Sequence, residues 1–206
     1  MKKSIIALIL SLLTQNFILA GVVMRRDKDI QISIDTIGAP IIQTAFGILG
    51  NDYKNVFGGN LIQNTDATIY VGTLGNGSQP EKKIDQKRID ELRLYKEGFI
   101  LTVMNNKLYI LGSDKRGTAY GILELSRLLG VSPWEWWADS KPEKKKSLVL
   151  KNGFTSFQAP SVAHRGIFIN DEDWGMMPWS STTFEPTAVK GQIGPKTHAR
   201  IFELLL

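Results

Sequence analysis

Alternating strand and helix patterns in the first two thirds of the chain limit the possible folds most strongly. Residues 29–34, "DIQISI", alternate polar and apolar side chains, which is typical of a strand. Apolar residues after Pro40 recur at helical spacing as far as the Gly58-Gly59 pair, so a helix is expected there. A second helix is expected over residues 117–129, and Gly130 is the expected stop. The pattern predicts strands and helices that share one core.

Further strands lie between the two predicted helices. The β-rich residues 67–73 lead into a turn-like segment, and we interpret its Asn76-Gly77-Ser78 sequon as turn chemistry. Two apolar runs, Phe99–Met104 and Leu108–Leu111, are separated by three polar residues and predict a hairpin. One sheet with its helices packed on a face would bury all these elements. The sequence therefore predicts a small α/β domain over residues 25–150.

The first twenty residues have the pattern of a secretory signal peptide. Lys2 and Lys3 precede the apolar run Ile5–Leu13, and the small residue Ala20 marks an expected cleavage point. A membrane anchor is the alternative, but the run is shorter than the ~20 apolar residues of a spanning helix, and polar residues follow it. We expect residues 1–20 to be removed, the protein to be periplasmic or secreted, and no membrane contact after cleavage.

Charge and cysteine content exclude several classes of function. The formal charge of +5 becomes 5 − 2 = +3 once the two leader lysines are lost. Part of that charge lies in "KPEKKK", residues 141–146, which we interpret as a solvated loop and not as a nucleic-acid patch. The chain has no cysteine, so it forms neither a disulfide framework nor a thiolate metal site. We predict no nucleic-acid partner.

The composition changes beyond residue 130. All five tryptophans lie between residues 134 and 179, and six of the eight prolines lie from residue 133 onward. Short strands are expected at Leu148–Leu150 and Gly166–Ile169, followed by a helix that begins at Pro195. That helix has no stop signal, so we expect an exposed apolar face and a sequence that is cut off. A strand, a loop and a helix over residues 160–206 form one β/α unit, whose faces need covering.

Polar residues follow the second of these strands directly. In a (β/α) barrel, functional side chains lie at the carboxyl ends of the strands, the position that Asn170 and Asp171 occupy. An amide beside a carboxylate suits a polyhydroxylated ligand, because both groups accept hydroxyl protons and the amide also donates. Trp174 and Trp179 would offer flat apolar faces to sugar rings. The alternative is a capping cluster, in which Asp171 or Asp173 binds backbone donors of the loop.

Other interpretations of this region have weaker support. Asp171 and Asp173 match a short signature of metal-dependent glycosyltransferases, and a calcium loop would need more oxygen ligands at regular spacing. His164 and His198 are too far apart in sequence to indicate a site, and we expect His198 on a helix surface. "PWEWW", residues 133–137, could form a sugar platform, but we favour an interdomain seam. No metal or cofactor is predicted.

Two long motifs resemble glycoside hydrolase family 115, the xylan α-1,2-glucuronidases. They are "SDKRGTAYGILELSRLLGVSPWEWWAD", residues 113–139, and "HRGIFINDEDWG", residues 164–175. The resemblance covers nearly all of the mature chain. It implies a small N-terminal α/β domain, then a (β/α)8 barrel and further domains. It also implies removal of glucuronic or 4-O-methylglucuronic acid from glucuronoxylan or xylo-oligosaccharides, with inversion and without a cofactor.

The resemblance also suggests roles for individual residues. It implies that Asn170 and Asp171 line the substrate pocket, and more weakly that Glu124 approaches it from the N-terminal domain. Glu124 could equally be a surface residue of its helix. The family's catalytic acid comes from later in the barrel, so we expect it beyond Leu206. A barrel needs ~200 residues, whereas 41 remain from residue 166 onward, so we expect this chain alone to be inactive.

Two further functional classes remain open at this stage. The chain could be a non-catalytic carbohydrate-binding or interaction module. It could also belong to another exo-glycosidase with the same domain layout, such as a hexosaminidase. The oligomeric state is not predicted.

Overall fold

A computed structural model describes residues 21–35, 38–169 and 175–206 of the protein. The expected leader and the candidate residues Asn170, Asp171 and Trp174 lie outside the described residues. The strands are β1 (Gly21–Arg25), β2 (Ile30–Ile34), β3 (Leu61–Gln63), β4 (Ile69–Thr73), β5 (Phe99–Met104), β6 (Lys107–Gly112), β7 (Ser147–Lys151) and β8 (Thr155–Gln158). The helices are α1 (Pro40–Phe57), α2 (Gln79–Lys83), α3 (Gln86–Leu92), α4 (Lys115–Leu129), α5 (Met176–Trp179) and α6 (Pro195–Leu205), with a π-helical turn at Ser180–Phe184.

A six-stranded mixed sheet forms the centre of the protein. Its strand order is β3-β2-β4-β6-β5-β8. Strands β2, β3, β4 and β6 run parallel, whereas β5 is antiparallel to both of its neighbours. In the register of the central strands, Val71 lies between Ile34 and Ile110. Strands β1 and β7 form a separate antiparallel ribbon. The mixed sheet with helices on a face confirms the predicted α/β class.

Helices α1 and α4 cover one face of this sheet. Apolar residues of α1 at helical spacing, among them Ile42, Leu49 and Val56, are almost completely buried against the strands. Helix α1 ends at Gly58, whose φ of 82° is left-handed and whose N–H donates to the carbonyl of Lys54. The expected helices and strands of residues 29–130 are therefore present, with ends within two residues of the predicted ones.

A second, smaller layer covers the opposite face and was not predicted. Helices α2 and α3 pack there over Tyr70, Ile100 and Leu111 of the sheet. The Ser78 hydroxyl accepts from the N–H of Glu81, and the Glu81 carboxylate accepts from the backbone N–H groups of two turn residues. The segment interpreted as a turn is thus a turn followed by a capped helix. Both helices are too short for a clear period.

Three strands were not predicted from the sequence. β1 lies next to the expected cleavage point, β3 has three residues, and β8 has the mostly polar sequence "TSFQ". β3 and β8 are sheet-edge strands with little apolar pattern, whereas β1 is apolar and buried but too close to the expected cleavage point to be separated from the leader by its sequence. The sheet consequently draws on residues up to Gln158. The domain spans 1–20, 25–150 and 160–206 remain predictions.

The expected strand at Gly166–Ile169 is wrong. These residues are irregular, and the side chains of Ile167 and Phe168 are 54% and 90% exposed. A strand needs hydrogen bonds from a neighbouring strand. Within the described residues, no strand pairs with this segment. The segment is apolar, but the described part of the chain supplies no partner strand for it.

The C-terminal helix α6 begins at Pro195, as predicted, and its expected apolar exposure is only partly confirmed. Phe202 and Leu205 are 58% and 44% exposed, but Ile201 is buried, with 2% of its surface accessible. One side of the helix therefore already packs against the described part of the protein. No helix among the described residues is long and apolar enough to cross a membrane.

Two helical glycines provide a matched test of how closely α4 approaches the sheet. A Cβ added at Gly117, in α4, would overlap the carbonyl oxygen of Gly98, whereas one added at Gly47, in α1, would meet nothing within 4 Å. We expect Gly117→Ala to lower the free energy of unfolding by about 1–3 kcal/mol through overpacking. Gly47→Ala should raise it by about 0.5–1 kcal/mol, because alanine favours the helix. Urea unfolding of both variants measures this, and equal effects would contradict the close helix–sheet approach.

Candidate functional site

Four aromatic rings join the loop after α4 to the C-terminal segment. The Trp136 ring centre lies 4.8 Å from that of Trp137 and 5.0 Å from that of Phe184. Trp179 stacks on Phe184 at 5.2 Å, with the ring planes 1° apart. One face of Trp179 is therefore already occupied. The rings contact one another across this junction, which agrees with a seam, while Trp179 remains 37% exposed.

Helix α6 is attached to this aromatic seam by its own side chains. The Arg200 guanidinium lies 5.3 Å from the ring centre of Trp136, within the range of a cation–π interaction. The Trp137 indole N–H donates to the Arg200 carbonyl at 3.2 Å. Arg200 also pairs with Glu203 at 2.7 Å. The seam therefore fixes α6 relative to the N-terminal sheet.

Buried polar groups hold the start of α6. The hydroxyls of Ser180 and Thr197 lie 2.7 Å apart, and the Gly194 N–H donates to Ser180 Oγ at 2.8 Å. The Glu185 carboxylate, which is 5% exposed, accepts from the N–H of Lys196 at 2.9 Å. A carboxylate at the N-terminus of a helix stabilises it. This structural role accounts for the burial of Glu185.

Glu124 lies in a cleft of about 760 Å³ between α1, α4 and α6. Its side chain is 6% exposed, so it is not a surface residue of its helix. The carboxylate accepts two hydrogen bonds from Arg127, at 2.7 and 2.8 Å, in a bidentate ion pair. Its oxygens are therefore already engaged. The structure places Glu124 in a concave site, but with its charge neutralised by Arg127.

The ionisable residues that line this cleft carry a net negative charge. Four carboxyl residues and two arginines line it, a difference of 4 − 2 = 2 negative charges when all are ionised: Asp52, Glu124, Glu135, Glu203, Arg127 and Arg200. Burial raises the pKa of the Asp52 carboxyl above its ordinary value. The negative charges of Glu135 and Glu203 add to this rise in pKa. This charge balance is unfavourable for an anionic sugar and weakens the expected role of Glu124.

A double ion pair at Glu97 fixes the segment that leads to residue 170. The Glu97 carboxylate accepts from Arg116 at 2.7 Å and from Arg165. Arg165 also donates to the Val162 carbonyl at 2.7 Å, and its guanidinium lies 6.0 Å from the ring centre of Tyr120. Hydrogen bonds from Arg165 and then Arg116 hold the pKa of Glu97 below its ordinary value. We call Glu97, Arg116 and Arg165 the ionic clamp.

The clamp was not predicted from the sequence. Arg165 and Glu97 are 68 positions apart, and nothing in the local pattern of either residue indicates its partner. Arg165, the last residue of the clamp, lies five positions before Asn170 along the chain. Of the candidate site residues, the structure therefore describes Glu124. For Asn170, Asp171 and Trp174 it describes only the segment that precedes them. Among the described residues, no group of three or more His, Cys, Asp or Glu side chains could hold a metal ion.

The comparisons with known proteins define the class. Residues 157–206 match the model of glycosyl hydrolase family 115, and residues 19–125 match that of the family 67 N-terminus. A solved structure, BtGH115A, is a family GH115 4-O-methyl-α-glucuronidase with specificity for decorated arabinogalactans. It is 48% identical, with a TM-score of 0.82 over 89% of this chain and 24% of that one. The fold is that of the N-terminal part of a glycoside hydrolase.

The chain belongs to glycoside hydrolase family 115, as its two long motifs predicted. It spans about a quarter of the length of BtGH115A. A β-hexosaminidase mutant from Streptomyces plicatus is 18% identical over 70% of this chain and 24% of that one, with a TM-score of 0.45. A GH138 enzyme targeting pectin rhamnogalacturonan II is 16% identical over 76% of this chain and 20% of that one, with a TM-score of 0.41. These two likenesses are too weak to support an argument. No curated protein matches the chain.

The ionic clamp gives a test with a defined pH dependence. Glu97→Gln removes the charge that both arginines bind, so we expect unfolding stability to fall by about 1 kcal/mol at pH 7. A lowered pKa in the folded state means that the stabilisation is present above the ordinary carboxyl pKa. It is lost as the pH falls through the folded-state value. The melting-temperature difference between wild type and variant should therefore be constant above about pH 5 and shrink below it.

The exposed Glu143 provides the control, since Glu143 forms no ion pair among the described residues. Glu143→Gln should leave the melting temperature unchanged across the same pH range. A difference for Glu97→Gln that does not change with pH would show that Glu97 acts through packing and not through its charge.

Proposed function

We propose that the protein is an exported glycoside hydrolase that removes glucuronic or 4-O-methylglucuronic acid side chains from xylan by inverting hydrolysis. The supporting observation is the 48% identity to a family GH115 4-O-methyl-α-glucuronidase over 89% of this chain. That enzyme is described as specific for decorated arabinogalactans. Decorated arabinogalactan is therefore the second candidate substrate. In both proposals the uronic acid is the group that is bound and released.

Asn170, Asp171 and Trp174 are the proposed substrate-binding residues. A carboxylate accepts hydroxyl protons of the sugar, an amide can both accept and donate, and an indole packs on the ring. These roles rest on sequence position and family resemblance. The ionic clamp supports them indirectly, because Arg165 is fixed to the N-terminal domain just before this segment. Glu124 is the weaker proposal, since its carboxylate already binds Arg127.

The proposed mechanism needs groups beyond the described ones. Inverting hydrolysis uses one carboxylic acid to protonate the leaving oxygen and one carboxylate to activate water, about 6.5–9.5 Å apart. Glu97 and Glu185 are engaged in the ionic clamp and at the start of α6. We assign the general acid to the family's barrel beyond Leu206. The first 206 residues alone are accordingly proposed to be inactive.

Export through residues 1–20 is part of the same proposal. Strand β1 begins at Gly21, and the N–H of this residue donates to Asn106 Oδ1 at 2.6 Å. An amino group left at Gly21 by cleavage would keep this donor. A Cβ at this position would overlap the carbonyl oxygen of Leu150, so glycine suits the site. Intact-mass measurement of the exported protein tests the cleavage point.

Uronic acid release is the direct test of the function. A chain extended through a complete barrel should release 4-O-methylglucuronic acid from glucuronoxylan, from decorated arabinogalactan, or from both, as measured by anion-exchange chromatography. The 206-residue chain, assayed at the same concentration, should release none. Failure of the extended chain on both polymers, with a folded protein, would contradict the proposal.

Asp171→Ala in the extended chain tests the proposed binding role. Hydrogen bonds to a charged acceptor contribute about 1.5–3 kcal/mol each. Since ~1.4 kcal/mol corresponds to a factor of ten, kcat/KM should fall at least about tenfold. The alternative, a loop cap, predicts a lower melting temperature with kcat/KM within about twofold of wild type. Thermal melting and kinetics on the same variant separate the two roles.

A further inference from the structure

The protein contains two Asn-Gly pairs, a sequence in which the asparagine amide is chemically labile. They are Asn76-Gly77, in the turn between β4 and α2, and Asn152-Gly153, in the turn between β7 and β8. Both glycines have a positive φ, of 65° and 86°, and a Cβ at either would meet nothing within 4 Å. The peptide nitrogen after each asparagine is therefore sterically unhindered. The hydrogen bonds of the two pairs distinguish them.

Asn152 is held by the sheet. Its side-chain oxygen accepts from the N–H of Asn106 at 2.9 Å, and its amide donates to Asn106 Oδ1 at 3.1 Å. The N–H of Gly153, the group that would attack the side chain, donates to the Val103 carbonyl of β5 at 2.9 Å. Attack at Asn152 would have to break these hydrogen bonds, and a backbone carbonyl is too weak a base to take the proton.

Asn76 differs at each of these points. The residue is exposed, and its side chain makes no hydrogen bond with the residues that the structure describes. The N–H of Gly77 donates to a carboxylate, at Glu81 Oε2, over 2.8 Å. The other Glu81 oxygen accepts from the N–H of Gly75 at 3.0 Å, so the carboxylate is fixed against the turn. A general base has to lie within about 2.6–3.2 Å of the atom whose proton it takes, and Glu81 meets this requirement.

We propose that Asn76 is a site of spontaneous modification, at which Glu81 takes the proton of the attacking Gly77 nitrogen. This nitrogen bonds to Cγ of Asn76, the bond from Cγ to Nδ2 breaks, and ammonia leaves with the proton that Glu81 has accepted. Water then opens the resulting imide ring at either carbonyl and leaves aspartate or isoaspartate at position 76. The new carboxylate lies between the two residues whose N–H groups bind Glu81, and repulsion between like charges weakens the cap of α2. The inference is independent of the proposed catalytic activity.

Incubation of the purified chain at mildly alkaline pH tests this directly. Peptide mapping by mass spectrometry should show conversion at Asn76 at least about tenfold faster than at Asn152, because Asn152 first has to lose its hydrogen bonds. Glu81→Gln keeps an oxygen acceptor but removes the base, so it should slow the conversion at Asn76 at least about tenfold. Glu91→Gln is the matched control, since it removes the same charge from an exposed residue of α3, and it should leave the rate unchanged.

Circular dichroism verifies that both variants are folded. A turn loosened by Glu81→Gln would speed the reaction, so a slower reaction in this variant supports the role of the base. Equal rates at Asn76 and Asn152, or an unchanged or faster rate in Glu81→Gln, would overturn the inference. Equal slowing by Glu91→Gln would also overturn it, because overall charge would then explain the effect. Asn76→Asp reproduces one product and should lower the melting temperature, and an unchanged value would contradict the effect on α2.

Discussion

Parallel strands must be covered on both faces, and this constraint organises the described part of the protein. Helices α1 and α4 cover one face and the short helices α2 and α3 cover the other. Thr118 of α4 contacts the sheet closely, because its hydroxyl donates to the Gly72 carbonyl and lies 2.8 Å from the Thr73 hydroxyl. The position of α4 is therefore fixed by polar bonds as well as by apolar packing. The loop that carries the aromatic seam begins at the end of α4, so the position of that seam depends on α4.

The route from this sheet to the candidate site runs through the two ends of α4. At its start, Asp114 accepts from Gly117 and, with its second oxygen, from the N–H of Glu97. Glu97 then binds Arg165, so the segment before Asn170 is attached to the sheet through three residues. At the other end, the loop after α4 carries the aromatic seam that holds α6. The sheet and α4 thus hold both the segment before Asn170 and helix α6.

Local patterns predicted the long elements and missed whatever depends on distant partners. The period of α1 and its glycine stop are local signals, and so is the Phe99–Met104 hairpin strand. The prediction of a strand at Gly166–Ile169 was wrong, because the pairing of a strand depends on a distant partner and is not a local property. Glu97 and Arg165 are 68 positions apart and are brought together only by the tertiary fold. The roles of Asn170 and Asp171 came from resemblance, and the described residues confirm the family without testing those roles.

The stereochemistry of hydrolysis tests the central claim most directly, because it joins the substrate, the linkage and the use of two carboxyl groups in one observation. Proton NMR can follow the sugar released from an α-linked aldouronic oligosaccharide by a chain extended through the barrel. The account predicts that the β-anomer of 4-O-methylglucuronic acid appears first and that the α-anomer grows later by mutarotation. Initial appearance of the α-anomer would contradict inversion, and no released uronic acid at all would contradict the proposed activity.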